Sequence, residues 1–188
     1  IKSNHNNTHL NYNNLLHLTL TNKYSYNINY KGIDMNDIDK KIEQLGIIIP
    51  SAPTPAANYI PYVISNNLVF ISGQVPFENG EIKNTGKVGK DIGLSQAKLV
   101  AKICALNVIS VLKDALNGDL SRMVKCVKLG IFVSCTSNFH QQPEVANGAS
   151  DLMVEIFGDK GKHARFAVGT NSLPRNVPVE IDAVFEIK

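Results

Sequence analysis

The 188-residue chain lacks several features that mark common protein classes. Its three cysteines, Cys104, Cys126 and Cys135, form no CxxC pair and no zinc-ligand spacing. That argues against a disulfide framework or a structural metal site and favours a reducing compartment. Cys104 and Cys126 lie in apolar runs and read as small core residues. No apolar run reaches the ~20 residues a membrane-spanning helix needs. Net charge is only +3, too small for a nucleic-acid-binding stripe. No acidic residue precedes Asp34.

That last absence sets residues 1–33 apart. The stretch is Asn-rich, as in Asn11-Tyr-Asn-Asn14, and carries lysine without acid. It reads as a low-complexity extension or as the remnant of an organelle targeting segment. The expected compartment is cytoplasmic, or mitochondrial or plastid if the second reading holds. From Asp34 onward the chain has the composition of one packed domain. Overall it is 44% hydrophobic and 19% charged.

Periodicity orders that domain. Met35–Leu45 predicts a short helix capped by Asp34 or Asn36 and ended by Gly46. A stiff connector, Pro50-Ser-Ala-Pro-Thr-Pro55, follows. Tyr59–Val63 and Leu68–Val75 predict two strands joined at Asn66-Asn67, and Asn79-Gly80 predicts a hairpin turn. Leu94–Leu116 is the clearest helix, with an apolar face from Ala97 to Ala115, Ser95 as its expected N-cap and Asn117-Gly118 as its stop. Met123–Val133 is apolar on both faces and predicts a mid-sheet strand. A polar loop and a second helix, Glu144–Phe157, come next.

The chain closes on two extended segments, RFAVGTNSL and VPVEIDAVFEIK. In the last, Val177, Val179, Ile181, Ala183, Phe185 and Ile187 share one face, and Glu180, Asp182 and Glu186 the other. A turn at Pro174–Val177 predicts that these strands pair and bring Arg165 and Glu180 to one end of a sheet. The fold class is α+β, with a mixed sheet and two helices packed on one face.

The stretches NLVFISGQVP and HARFAVGTNSLPRNVPVEIDAVF resemble the RidA/YjgF family of imine/enamine deaminases, also labelled endoribonuclease L-PSP. GKVGKDIGLSQA and VANGASDLMVEIFG resemble a less-studied branch of it. The resemblance spans about Asp34–Lys188. It implies a chorismate-mutase-like fold, assembled as a homotrimer around a sheet-lined barrel with ligand clefts between subunits.

The resemblance also assigns residues. Ala164-Arg165 matches the motif of the family's catalytic arginine, and VEIDAV places its acid at Glu180. Tyr59 matches the family tyrosine, and Ser72-Gly73 the backbone that lines the ligand. Arg165 would grip a substrate carboxylate with two parallel hydrogen bonds. Glu180 would activate water, and Tyr59 would donate to the developing nitrogen or close the pocket. No cofactor or metal is implied. The expected partner is a small carboxylate; neither membrane nor nucleic acid is expected.

Three departures reshape the pocket rim: Ile60-Pro61 after the tyrosine, Ala167 two residues after the arginine, and a longer loop at 134–144 carrying His140. His140 and His163 read as surface residues, and His163 could instead border Arg165. Three functions compete. They are a hydrolytic deaminase of 2-imino acids, a non-catalytic trimer that binds a small carboxylate, and a ribonuclease.

Overall fold

A computed structural model describes residues 37–52 and 58–188, all within the unit Met35–Lys188. The extension at 1–33, the caps at Asp34 and Asn36, and connector residues 53–57 lie outside the described residues.

Helix α1, Asp37–Gln44, ends where Gly46 turns left-handed at φ 63°, a conformation glycine adopts without strain. Strands β1, Tyr62–Ser65, and β2, Leu68–Gln74, form an antiparallel hairpin across Asn66. The first strand starts three residues later than Tyr59. Pro61 brings no N–H, and its carbonyl, 3.0 Å from the Ser72 nitrogen, accepts from that N–H ahead of the regular ladder. The short strands β3, Phe77–Glu78, and β4, Glu81–Ile82, turn at Asn79-Gly80 with both φ angles positive, as a tight hairpin demands.

Helix α2, Leu94–Ala115, is the core helix. Its N-cap is Gly93, with no side-chain cap, rather than Ser95. It ends as expected, with Asn117 and Gly118 both left-handed and the Gly118 N–H bonded to the Lys113 carbonyl at 2.8 Å. By length and composition α2 is long and apolar enough to cross a membrane, contrary to the sequence reading. Here one face of it, with Ala97, Val100, Cys104, Val108 and Leu112, is fully buried in the domain core, while Leu99 is exposed.

Strand β5, Met123–Ser134, helix α3, Gln142–Phe157, and strand β6, Ala164–Thr170, form a parallel crossover unit. Strand β7, Val179–Ile187, then enters the sheet, whose order is β1-β2-β7-β5-β6. Strand β7 pairs antiparallel with both β2 and β5, so it does not pair with β6. The expected β6–β7 pairing is therefore corrected. Strand β5, rich in apolar residues on both faces, takes the place between them and buries both its edges.

One face of the sheet carries α2 and α3. Val69, Ile71, Leu129, Ile131, Ile181, Ala183 and Phe185 fill the layer between them. Phe185 is fully buried; removing a side chain of that size from water contributes about 1.5–3 kcal/mol. The other face is open. Along the sheet it shows Val63, Phe70, Phe132 and Val168, each at least 36% exposed. Phe132 also meets Phe166 edge-on at 5.2 Å.

Candidate active site

The site is organised by an irregularity in β2. Its register against β7 moves from Ile71–Ala183 to Gln74–Ile181, so Ser72 and Gly73 together oppose one residue. Such a bulge bends a strand and re-aims its side chains. Ser72 fixes the bend. Its hydroxyl donates to the Ile60 carbonyl at 2.9 Å, and its own carbonyl accepts from Gln74 Nε2 at 2.9 Å. Ser72 is thus a strut that holds Ile60-Pro61, and through them Tyr59, against the sheet.

Gly73 is the point of closest approach. A Cβ there would collide with Glu180 Oε1, so only glycine lets the carboxylate lie against this backbone. The two residues line a cleft of about 650 Å³ with Tyr59, Asn107, Phe77 and Arg175. Asn107 is 2% exposed, and its Nδ2 faces the carbonyls of Val75 at 3.1 Å and Phe77 at 3.0 Å. It pins the cleft floor to α2.

Glu180 is half-buried. Burial, and then the Asp182 charge, raise its pKa above the usual carboxylate range. A carboxylate so placed is a stronger base than a solvated one. The neighbouring thiol of Cys104 is pushed well up by burial and by Glu180, so it stays protonated as a core group. Burial pushes Cys126 up to about 12, and that thiol is inert for the same reason.

Arg165 lies elsewhere in the chain. It stands on edge strand β6, in register with Leu129 and hence on the helix-bearing face, whereas Glu180 opposes Phe132 on the open face. Its guanidinium donates to Ser150 Oγ at 2.8 Å, Asn147 Oδ1 at 2.9 Å and the Pro143 carbonyl at 3.2 Å. Asn147 and Ser150 are one helical turn apart on α3 and form a cradle.

His163 supports that cradle. Its Nδ1 is 2.6 Å from the Gly161 carbonyl, which can only accept, so Nδ1 carries the proton. Nε2, 3.0 Å from Ser150 Oγ, then accepts from the hydroxyl and leaves an Oγ lone pair for Arg165. Burial lowers the His163 pKa, the Gly161 hydrogen bond opposes this, and the Arg165 charge adds to the lowering. His163 is therefore the half-buried neighbour of the arginine, not a surface residue.

One chain brings together Tyr59, Gly73 and Glu180, and leaves Arg165 apart from them. Sequence reading missed Asn107 and Arg175. The signal for Asn107 was a polar residue on the apolar face of α2. Arg175 stood inside the SLPRNVP turn but had no periodicity to reveal its direction. Among the described residues no cluster of three His, Cys, Asp or Glu side chains could hold a metal ion.

A family model described as "YjgF/chorismate_mutase-like, putative endoribonuclease" matches residues 39–185. The chain belongs to the YjgF/Rid family. Among curated relatives, Protein TCP17 of Trypanosoma cruzi is 42% identical over 147 residues, 78% of this chain and 91% of that protein. Among solved structures, the protein Atu1372 of Agrobacterium tumefaciens, of unknown function, is 46% identical with a TM-score of 0.76. That match covers 80% of this chain and 92% of the other. An endoribonuclease assigned as such only putatively, from Shewanella oneidensis, is 29% identical with a TM-score of 0.78, covering 81% and 100%. The chorismate-mutase-like architecture of the YjgF/Rid family is thus the fold of this chain.

Proposed function

We propose that the protein is a hydrolytic deaminase that converts reactive 2-imino and enamine acids into 2-oxo acids and ammonia. The observation that carries this reading is Glu180, a half-buried carboxylate of raised pKa held against Gly73 in a cleft it shares with Tyr59. An enamine acid enters as its imine tautomer. Water adds to the C=N carbon as Glu180 takes one of its protons and passes it to the nitrogen, which gives a neutral carbinolamine. Glu180 then takes the hydroxyl proton and delivers it to the same nitrogen as the C–N bond breaks. Ammonia leaves, and the hydroxyl carbon becomes the ketone. A base near its working pH contributes about 10²–10⁴-fold to such a step.

In this reading Arg165 binds the substrate carboxylate from a second copy of the chain. Two features support that. Arg165 is exposed and sits across the sheet from its own Glu180. The open face also exposes the large apolar side chains Val63, Phe70, Phe132 and Val168, the kind that assembly covers. A homotrimer with a cleft between copies follows. One curated relative, the Saccharomyces cerevisiae Protein MMF1, is named as mitochondrial, which supports an organellar setting for this chain.

The test is ammonia release from freshly generated 2-aminoacrylate by the wild-type chain and by Glu180→Gln, beside a mass measurement in solution. Turnover lost in Glu180→Gln, by a trimer, is the expected result. Binding of a 2-oxo acid with no turnover in either protein would turn the reading to a non-catalytic carboxylate-binding trimer. RNA cleavage abolished by Glu180→Gln would turn it to the ribonuclease that some relatives' names suggest.

A further inference from the structure

The cleft has a cation of its own. Among the described residues lining it, Arg175 alone is positively charged. Its guanidinium lies over the Phe77 ring, 5.5 Å from the ring centre. It takes part in no ion pair among the described residues. A surface arginine with no partner normally wanders; this one rests on an aromatic face, where the ring quadrupole attracts it.

Its backbone is equally constrained. Arg175 and Asn176 are both left-handed, at φ 56° and 58°. The turn is closed by hydrogen bonds from the Asn176 N–H to the Leu173 carbonyl and from the Val177 N–H to the Pro174 carbonyl. The Asn176 carbonyl in turn accepts from the Gly86 N–H at 2.8 Å, tying the turn to the neighbouring loop. Backbone strain of this kind persists only where the surroundings enforce it, so Arg175 is aimed rather than loose.

Glu180 lines the same cleft without pairing with this cation. The cleft that both line has room for a ligand. The proposed reaction already uses Arg165 for the carboxylate next to the imine carbon. A second fixed guanidinium then has no work to do on a simple alkyl side chain. The volume, about 650 Å³, also exceeds what a three- or four-carbon acid fills.

We infer that Arg175 is a specificity-determining residue and that the cleft takes acids bearing a second anionic group on the side chain, such as the imines of amino-dicarboxylic acids. The substrate class rests on the deaminase reading; the anion preference rests on the geometry of Arg175 and is measured by binding alone.

The experiment titrates two unreactive 2-oxo acids, 2-oxobutanoate and 2-oxoglutarate, into the full chain by calorimetry. The variants are Arg175→Asn, which suits a left-handed backbone, and Arg175→Lys, which keeps the charge. Melting curves confirm that each is folded. The wild type is expected to bind the dicarboxylate about 10–100-fold more tightly, a ratio in keeping with charge-assisted hydrogen bonds to a guanidinium. Arg175→Asn removes that preference and leaves the monocarboxylate unchanged, and Arg175→Lys restores part of it.

Equal wild-type affinities for the two acids would overturn the inference. So would a loss in Arg175→Asn that is the same for both, which would make Arg175 the anchor of the common carboxylate. Imine hydrolysis is assayed on the same proteins. Selective dicarboxylate binding without hydrolysis removes the deaminase reading and leaves Arg175 as the anion anchor. Hydrolysis without any dicarboxylate preference does the reverse.

Discussion

Replacing Gly73 with alanine tests the geometry of the site with one methyl group. The added Cβ would overlap Glu180 Oε1 and come within 3.1 Å of its carboxyl carbon and 3.3 Å of Cγ. Gly73 is not in the left-handed region, so the backbone itself accepts alanine. What must move is the far end of a flexible side chain, and Glu180 can rotate out of the way at little cost. Gly→Ala substitutions of this kind gain about 0.4–1 kcal/mol by restricting the unfolded chain, which offsets part of the rotation. The melting point should therefore shift little.

Catalysis should not survive as well. A general base contributes about 10²–10⁴-fold, or roughly 3–5 kcal/mol of barrier, and a rotated carboxylate no longer reaches the water. Single-turnover imine hydrolysis should fall by that order in Gly73→Ala. The double variant Gly73→Ala/Glu180→Gln adds a stricter check. If Gly73 acts only by seating Glu180, the double variant is no slower than Glu180→Gln alone. Undiminished hydrolysis in Gly73→Ala, or losses that multiply in the double variant, would refute the reasoning.

Three further outcomes follow from the same geometry. Because the folded state raises the Glu180 pKa, its ionised form costs stability above that pKa, and the cost disappears as pH falls below the unfolded value. Glu180→Gln should therefore melt higher than the wild type at pH 7 and lose that advantage in acid, read by melting curves from pH 4 to 8. His163 has the opposite linkage: its folded pKa is depressed, so the stability of its neutral form is lost as pH falls below the unfolded value of about 6.5. An NMR titration should place its midpoint below that value, and a midpoint above it would show that burial and the Arg165 charge do not outweigh the Gly161 hydrogen bond. Arg165→Lys should weaken 2-oxo acid binding roughly ten- to a hundredfold at nearly unchanged melting, since lysine lacks the planar fork; unchanged affinity with a lowered melting point would make Arg165 a structural clamp on α3.

The sequence by itself determined the elements and their buried faces. The alternation Val179, Ile181, Ala183, Phe185, Ile187 could only be a half-buried strand, and all five are buried. The helical spacing from Ala97 to Ala115 set the face of α2, and Asn117-Gly118 its end, because these signals are local and depend on period and turn chemistry alone. Motif spacing likewise located Tyr59, Gly73 and Glu180, which the fold gathers into one cleft.

Strand order is not local. The turn after Leu173 joins β6 to β7, but β5 has two apolar faces and two edges to satisfy, and it separates them. That choice set Arg165 of β6 against α3 and left Glu180 in a cleft lined by a different cation, Arg175. The orientation of Arg175 was also decided in three dimensions. It depends on Phe77 beneath the guanidinium and on Gly86 bonded to the turn, residues about 100 and 90 positions away in the chain. The pKa of Glu180 has the same origin. A carboxylate in an alternating strand is ordinarily solvated; here burial, with the Gly73 backbone lying against it, and the Asp182 charge raise its pKa.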